Sequence, residues 1–192
     1  TKQKNSGSAK GTEHDSKEHK SKNKKSSGDK SDPRHSFLKK INLAKVTYDY
    51  SDEMKDQKQK AERLTAINEL IQMLADQRMV TQLFIPNIES VMEMIKKNIF
   101  RPLPCTNKGS GLGVSETGVE EEEQKPDPSW EHIKGIYDIF LQLTINEACD
   151  VKTLKQFITS NFISEFLQLF DSDLPEERDF LKNILHKLYA KL

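Results

Sequence analysis

Beyond residue 55 the apolar side chains recur at intervals of three and four, the period of one helical face, and the alternation of a strand is scarce. The first strong pattern predicts a helix from Lys55 to Gln77. Leu64, Ile67, Leu70, Ile71 and Leu74 fall on one face, with Arg63, Glu69 and Gln72 on the other. A second helix is expected from Pro86, because proline suits a first helical position, where its missing N–H would be unpaired anyway. Its stripe is Ile88, Val91, Met92, Ile95 and Ile99, and Pro102 and Pro104 close it. Between the two, Met79 to Ile85 reads as a short apolar connection tucked against the core.

A third helix is expected from Ser129 to Asn146, burying Trp130, Ile133, Tyr137, Phe140 and Leu141. Residues 151–170 hold a short helix and then a longer one. Thr159 or Ser160 can cap the longer by accepting from an early backbone N–H. Its apolar face is Phe162, Ile163, Phe166, Leu167 and Phe170. After the turn Asp171-Ser172-Asp173, a last helix starts at Pro175, with Glu176 and Glu177 placed favourably against the N-terminal dipole. Its core stripe is Leu181, Ile184, Leu185, Leu188 and Leu192. Helix pair, insertion, helix pair, then one unpartnered helix is the order of an α-solenoid, in which each pair buries its stripe against the next. A plain helical bundle is the structural alternative. Either way the predicted fold is all-α.

Composition divides the chain into four parts. Residues 1–36 carry almost no large apolar side chain and ten basic residues against five acidic ones. Such a stretch cannot offset its ordering entropy, so a disordered Lys/Ser-rich tail is expected. Residues 37–104 form the first helical repeat. Residues 105–128 are a Gly/Ser/Pro-rich acidic linker, expected at the surface. Residues 129–192 hold the second repeat and the first helix of a third. The chain has no initiator Met and stops at Leu192 with a helical pattern still running, so it reads as a fragment of something longer.

Formal net charge is zero, and only the tail is basic. Its lysines are scattered among Ser, Asp and Glu, so it reads as a solvated tail and nucleic acid is not an expected partner. The run Lys20–Lys25 is the one candidate for a nuclear-import or nucleic-acid patch. No apolar run of membrane-spanning length and no N-terminal apolar signal region is present, so no membrane partner is expected. Cys105 and Cys149 lack metal-type spacing and point to a reduced, intracellular protein.

Catalytic chemistry has little support. Asn107 to Gly113 is glycine-rich, but a phosphate cradle needs a strand before it and a helix after it. Glu120 to Glu123 lack the interleaved turn ligands of a calcium loop. His14, His19, His35, His132 and His186 have no companion ligands, and no nucleophile–base set can be nominated. No enzyme, cofactor or metal is therefore expected. On the last helix, with Leu181 at zero and about 100° per residue, the apolar stripe spans roughly −60° to +40°. Tyr189 falls at about 80°, Lys182 at about 100° and His186 at about 140°, so they share a face beside the stripe. An aromatic ring, an imidazole and a cation there suit a peptide with one apolar and one acidic residue. On spacing alone, the solvated edge of a core helix is the favoured reading of these residues.

The run Phe166-Leu167-Gln168-Leu169-Phe170-Asp171-Ser172-Asp173, with 174–182 and Leu185-His186-Lys187-Leu188-Tyr189 after it, resembles the B-prime regulatory subunits of protein phosphatase 2A. So does the acidic linker leading into Ser129-Trp130-Glu131-His132-Ile133 and Tyr137-Asp138-Ile139-Phe140-Leu141. Phe100-Arg101-Pro102-Leu103-Pro104 and Tyr48-Asp49-Tyr50-Ser51-Asp52 match more loosely. The resemblance implies HEAT-like helix pairs, about two and a half of them, after a disordered tail. It implies a non-catalytic, substrate-recruiting subunit in the cytoplasm, with the nucleus as a second compartment. Its partners would be the phosphatase scaffold and catalytic subunits and short Leu-x-x-Ile-x-Glu-type motifs in disordered targets. His186, Lys187 and Tyr189 are the motif-binding residues it implies. The family pattern has Arg where this chain has Lys187, which keeps the charge but loses bidentate pairing. An unrelated helical-repeat adaptor with no phosphatase link is the alternative.

Overall fold

The computed structural model describes residues 32–52, 54–103 and 127–192. Most of the expected tail and linker, with the glycine-rich run, Glu120 to Glu123 and Cys105, lies outside the described residues. Among the described residues the regular structure is helical, without strands. No helix of the described part is long and apolar enough to cross a membrane.

Helix α1 spans Pro33–Lys45, where periodicity predicts none, and its first turn lies within the stretch assigned to the tail. The Asp32 side chain caps it by accepting from the Arg34 N–H at 3.1 Å, and proline occupies the first turn. Only Phe37, Ile41 and Ala44 are buried. Three apolar contacts in a lysine-rich run are a weak signal, yet they dock α1 against two later helices.

Helix α2 spans Gln57–Leu74 and buries Lys60, Arg63, Ala66, Ile67, Leu70 and Leu74. Arg63, expected on the polar face, is thus inside. Met79 to Ile85, expected as a connection, is helical: α3 (Gln77–Met79) runs into a π-turn, Val80–Phe84, and a 3-10 turn, Ile85–Asn87. Val80, Leu83 and Phe84 are buried there, and Phe84 meets Phe37 of α1 edge-on at 4.8 Å. Helix α4 spans Ile88–Ile99 and α5 spans Trp130–Ile145. The short α6 (Val151–Phe157), α7 (Ser160–Gln168) with a closing 3-10 turn, and α8 (Pro175–Lys191) complete the chain. Thr159 caps α7 as expected, accepting from the Phe162 N–H at 3.2 Å. Leu167, expected inside, is exposed, and Leu169 is buried in its place. Leu192, expected in the last stripe, is also exposed.

One apolar cluster runs from Phe37 to Leu188. α1 packs on α2 and α4, while α5 packs on α2, α4 and α8. This explains why α5 is buried on nearly every side, from His132 and Ile133 through Ile136, Ile139 and Phe140 to Thr144. Phe140 and Phe162 meet at 5.8 Å and Phe100 and Phe162 at 5.1 Å, so α7 leans on both α5 and the end of α4.

Close approach of α2 and α5 depends on Gly135. A Cβ there would lie 2.5 Å from Ile67 Cγ2, a methyl fixed beside the backbone by β-branching. Gly135→Ala gains about 1 kcal/mol of helix propensity, but overpacking costs about 1–3 kcal/mol. The expected result in urea unfolding is a net loss of about 1 kcal/mol. Pairing it with Ile67→Leu, which removes the β-branch, should shrink that loss. A Gly135→Ala chain more stable than the parent would refute the tight contact.

Candidate recognition helix and the buried network beneath it

Helix α8 carries all three expected motif-binding residues, and all three are exposed. Tyr189 is 87% exposed. None of the three makes a hydrogen bond or ion pair to a described residue. His186 and Tyr189 are one turn apart and share the outward face, together with Lys182, which pairs with Asp179 at 3.1 Å. Lys187 does not join them. It lines a shallow groove with Thr144, Ile145 and Glu147 at the end of α5, about 160° around the helix from Tyr189. Beside it, Lys191 Nζ donates to the carbonyls of Thr144 and Asn146, each at 2.7 Å, and so closes the C-terminus of α5. The structure therefore pairs the ring and the imidazole but sets the expected cation on another side.

The other face of α8 shows why the helix stays where it is. Glu177, expected beside the N-terminal dipole of the helix, is 0% exposed. Arg101, just past α4, clamps it with two bonds: Nη1 to Oε1 at 2.8 Å and Nη2 to Oε2 at 3.1 Å. The Tyr137 hydroxyl of α5 donates to Oε1 at 2.7 Å, and the Ser172 hydroxyl donates to Oε2. A bidentate Arg–carboxylate pair with both oxygens further bonded is the arrangement that lets a buried charge persist. Burial alone would lower the Arg101 pKa, but the bonds from Glu177 and its charge more than offset this and hold it above the ordinary value. Burial first, then the Glu177 charge, pushes the Tyr137 phenol well above its usual range.

Aromatic contacts extend the clamp. Phe180 stacks on Tyr137 at 5.9 Å and meets Trp130 edge-on at 6.3 Å, while Trp130 Nε1 donates to Glu176 at 2.7 Å. α4, α5 and α8 are thus joined at one end by a single polar knot with an aromatic cover. Among the described residues no group of His, Cys, Asp and Glu could hold a metal ion.

Comparison with known proteins gives the arrangement a family. A family model described as the protein phosphatase 2A regulatory B subunit, B56 family, matches residues 22–192. The chain belongs to the B56 family. The B' theta 57 kDa regulatory subunit of Arabidopsis thaliana is 34% identical over 171 residues, covering 84% of this chain and 32% of that protein. The 56 kDa alpha regulatory subunit of Mus musculus is 33% identical over 159 residues, covering 81% of this chain and 30% of that protein. This B56 chain thus spans about a third of the length of the curated relatives it matches. These relatives are named as regulatory subunits of protein phosphatase 2A. The match also disposes of the alternative of an unrelated helical adaptor.

Proposed function

We propose that this chain forms the first helical repeats of a subunit that recruits substrates to protein phosphatase 2A. It docks with the scaffold and catalytic subunits and reads short Leu-x-x-Ile-x-Glu-type motifs through the face of α8. The family match supports the regulatory role. The observation that carries the motif reading is Tyr189, a large ring left almost wholly exposed on a helix anchored by a buried ion pair. An exposed ring on a rigid element is a preorganised contact, since little is lost in ordering it. His186, one turn away, adds a hydrogen-bonding edge. Lys187 attracts acidic or phosphorylated positions only where the motif wraps toward the end of α5. The cytoplasm and nucleus are the compartments we propose for it.

The test is a chimera in which this chain replaces the matching third of the mouse alpha relative. It is expected to retain the scaffold and catalytic subunits and to bind a Leu-x-x-Ile-x-Glu peptide. Tyr189→Ala should weaken the peptide about tenfold or more, as loss of an aromatic anchor does, and leave subunit retention intact. Lys187→Ala should weaken it less. Failure to retain either subunit sinks the adaptor reading. Unchanged peptide affinity in Tyr189→Ala sinks the assignment of the site.

A further inference from the structure

A groove of about 470 Å³ opens between the segment after α1, the end of α4 and the start of α5. Arg63 lies in its lining and is 3% exposed. Its Nη1 donates to the Tyr50 hydroxyl at 3.2 Å and its Nη2 to Asn98 Oδ1, both uncharged acceptors. Asn98 is itself fixed, donating to the carbonyls of Ala44 and Met94 at 3.0 and 2.8 Å. The Arg63 Nε–H is buried with no partner among the described residues. Nor does any ion pair among them involve Arg63, and burial holds its pKa below the ordinary value.

More positive charge gathers here with no described acid bonded to it. Lys60 is nearly buried, sits 4.9 Å over the Tyr50 ring, and gives its ammonium to the Asp52 carbonyl at 2.9 Å. Lys97 is an exposed cation on the groove lining. The ring of His132, 5.1 Å from Tyr50, has a buried Nδ1 with no partner among the described residues. Arg101, also in the lining, is already paired with Glu177. Buried charges in proteins are ordinarily paired, and a buried guanidinium with only neutral partners and a spare N–H is a site short of an anion.

We propose that this groove is an oxyanion site that receives one carboxylate or phosphoryl group carried on an extended peptide, with Arg63 as the buried contact and Lys97 as the outer one. It is separate from the α8 face and does not rest on the phosphatase reading. Acids on the lining select the ligand. Asp49 is held in its charged form by hydrogen bonds from Ser51, and Asp127 accepts from Ser129 at 2.7 and 2.8 Å. Two carboxylates beside the opening repel a run of phosphates, so a polynucleotide is disfavoured. A single oxyanion flanked by neutral or basic residues meets less of this repulsion than a run of phosphates does. Pro102 and Ile133 supply apolar wall for the flanking chain.

The experiment is a titration of the labelled 192-residue chain at fixed ionic strength, following the arginine Nε–H signals by NMR. The probes are inorganic phosphate, acetate, a peptide with one phosphoserine among neutral residues, and the same peptide with glutamate or unmodified serine at that position. The Arg63 Nε–H is expected to shift and saturate with the phosphoserine and glutamate peptides, while that of Arg101 stays still. Lys97→Ala, an exposed change, should weaken both peptides by severalfold. Arg63→Lys, which keeps charge but lacks Nε, should weaken them about tenfold or more. An Arg63 signal that does not move, or that moves only in step with all other arginines, overturns the site. Inorganic phosphate binding as tightly as the phosphoserine peptide overturns the peptide part of the assignment.

Discussion

Replacing Glu177 with leucine is expected to cost about 3–5 kcal/mol in urea unfolding, more than any surface change in this chain. The physical reason lies in what remains behind. Arg101 would keep its charge within the fold with no carboxylate to meet it, and the hydroxyls of Tyr137 and Ser172 would lose their acceptor. Replacing both members of the pair, Arg101→Met with Glu177→Leu, should recover most of that loss, because apolar side chains of similar size bear no desolvation cost. Glu177→Gln should fall between, keeping one acceptor oxygen but leaving the guanidinium unneutralised. A single leucine variant within about 1 kcal/mol of the parent, the worth of an exposed pair, would show that the knot contributes nothing. The consequence for function is directional. If the knot sets the angle of α8, the leucine variant should also lose peptide affinity in the chimera although it touches neither His186 nor Tyr189.

How legible the molecule is from its chain can be judged residue by residue. The helices α2, α4, α5, α7 and α8 are readable because each carries an apolar stripe at helical spacing. Helix α1 is not, since Phe37, Ile41 and Ala44 are spaced correctly but stand among lysines, and its stability comes from α2 and α4, which no local pattern encodes. The two buried charges have a signal that composition conceals. Glu177 precedes Leu181 by four residues and falls at about −40° on the helix, inside the apolar stripe. Arg63 stands in the same relation to Ile67 on α2. A charged residue within a stripe is either an error of register or a buried partner in search of a counter-group. Nothing local can name that group, because Arg101 and Glu177 are 76 residues apart. His186 and Tyr189 are readable as neighbours from spacing. The separation of Lys187 from them follows from the same arithmetic but matters only once the end of α5 is seen beside it.

His132 supplies the second large effect, and it depends on pH. The ring is 6% exposed, and burial first, then the charges of Arg63 and Lys60, push its pKa from the ordinary 6.5 down to about 4. Well above pH 6.5 the imidazole is neutral in both the folded and unfolded chain and leaves the balance untouched. As pH falls, the unfolded chain binds a proton at His132 that the folded protein refuses, so stability drops. The loss reaches about 2 kcal/mol by about pH 5 and levels at about 3 kcal/mol once the folded ring titrates. Urea unfolding from about pH 7.5 to about pH 4.5 should therefore show the chain weakening well before most carboxylates titrate. His132→Phe keeps a ring against Tyr50 but cannot bind a proton, so its stability should stay flatter over the same range. Asp49, Glu93 and Asp150, held below the usual carboxylate range by bonds from Ser51, Lys45 and Thr153, lose their contributions at lower pH in both chains and cancel in the difference. Parallel pH profiles for the two chains would mean that the imidazole charges freely in the fold. The cationic cluster around Arg63 would then be far better screened than its burial implies.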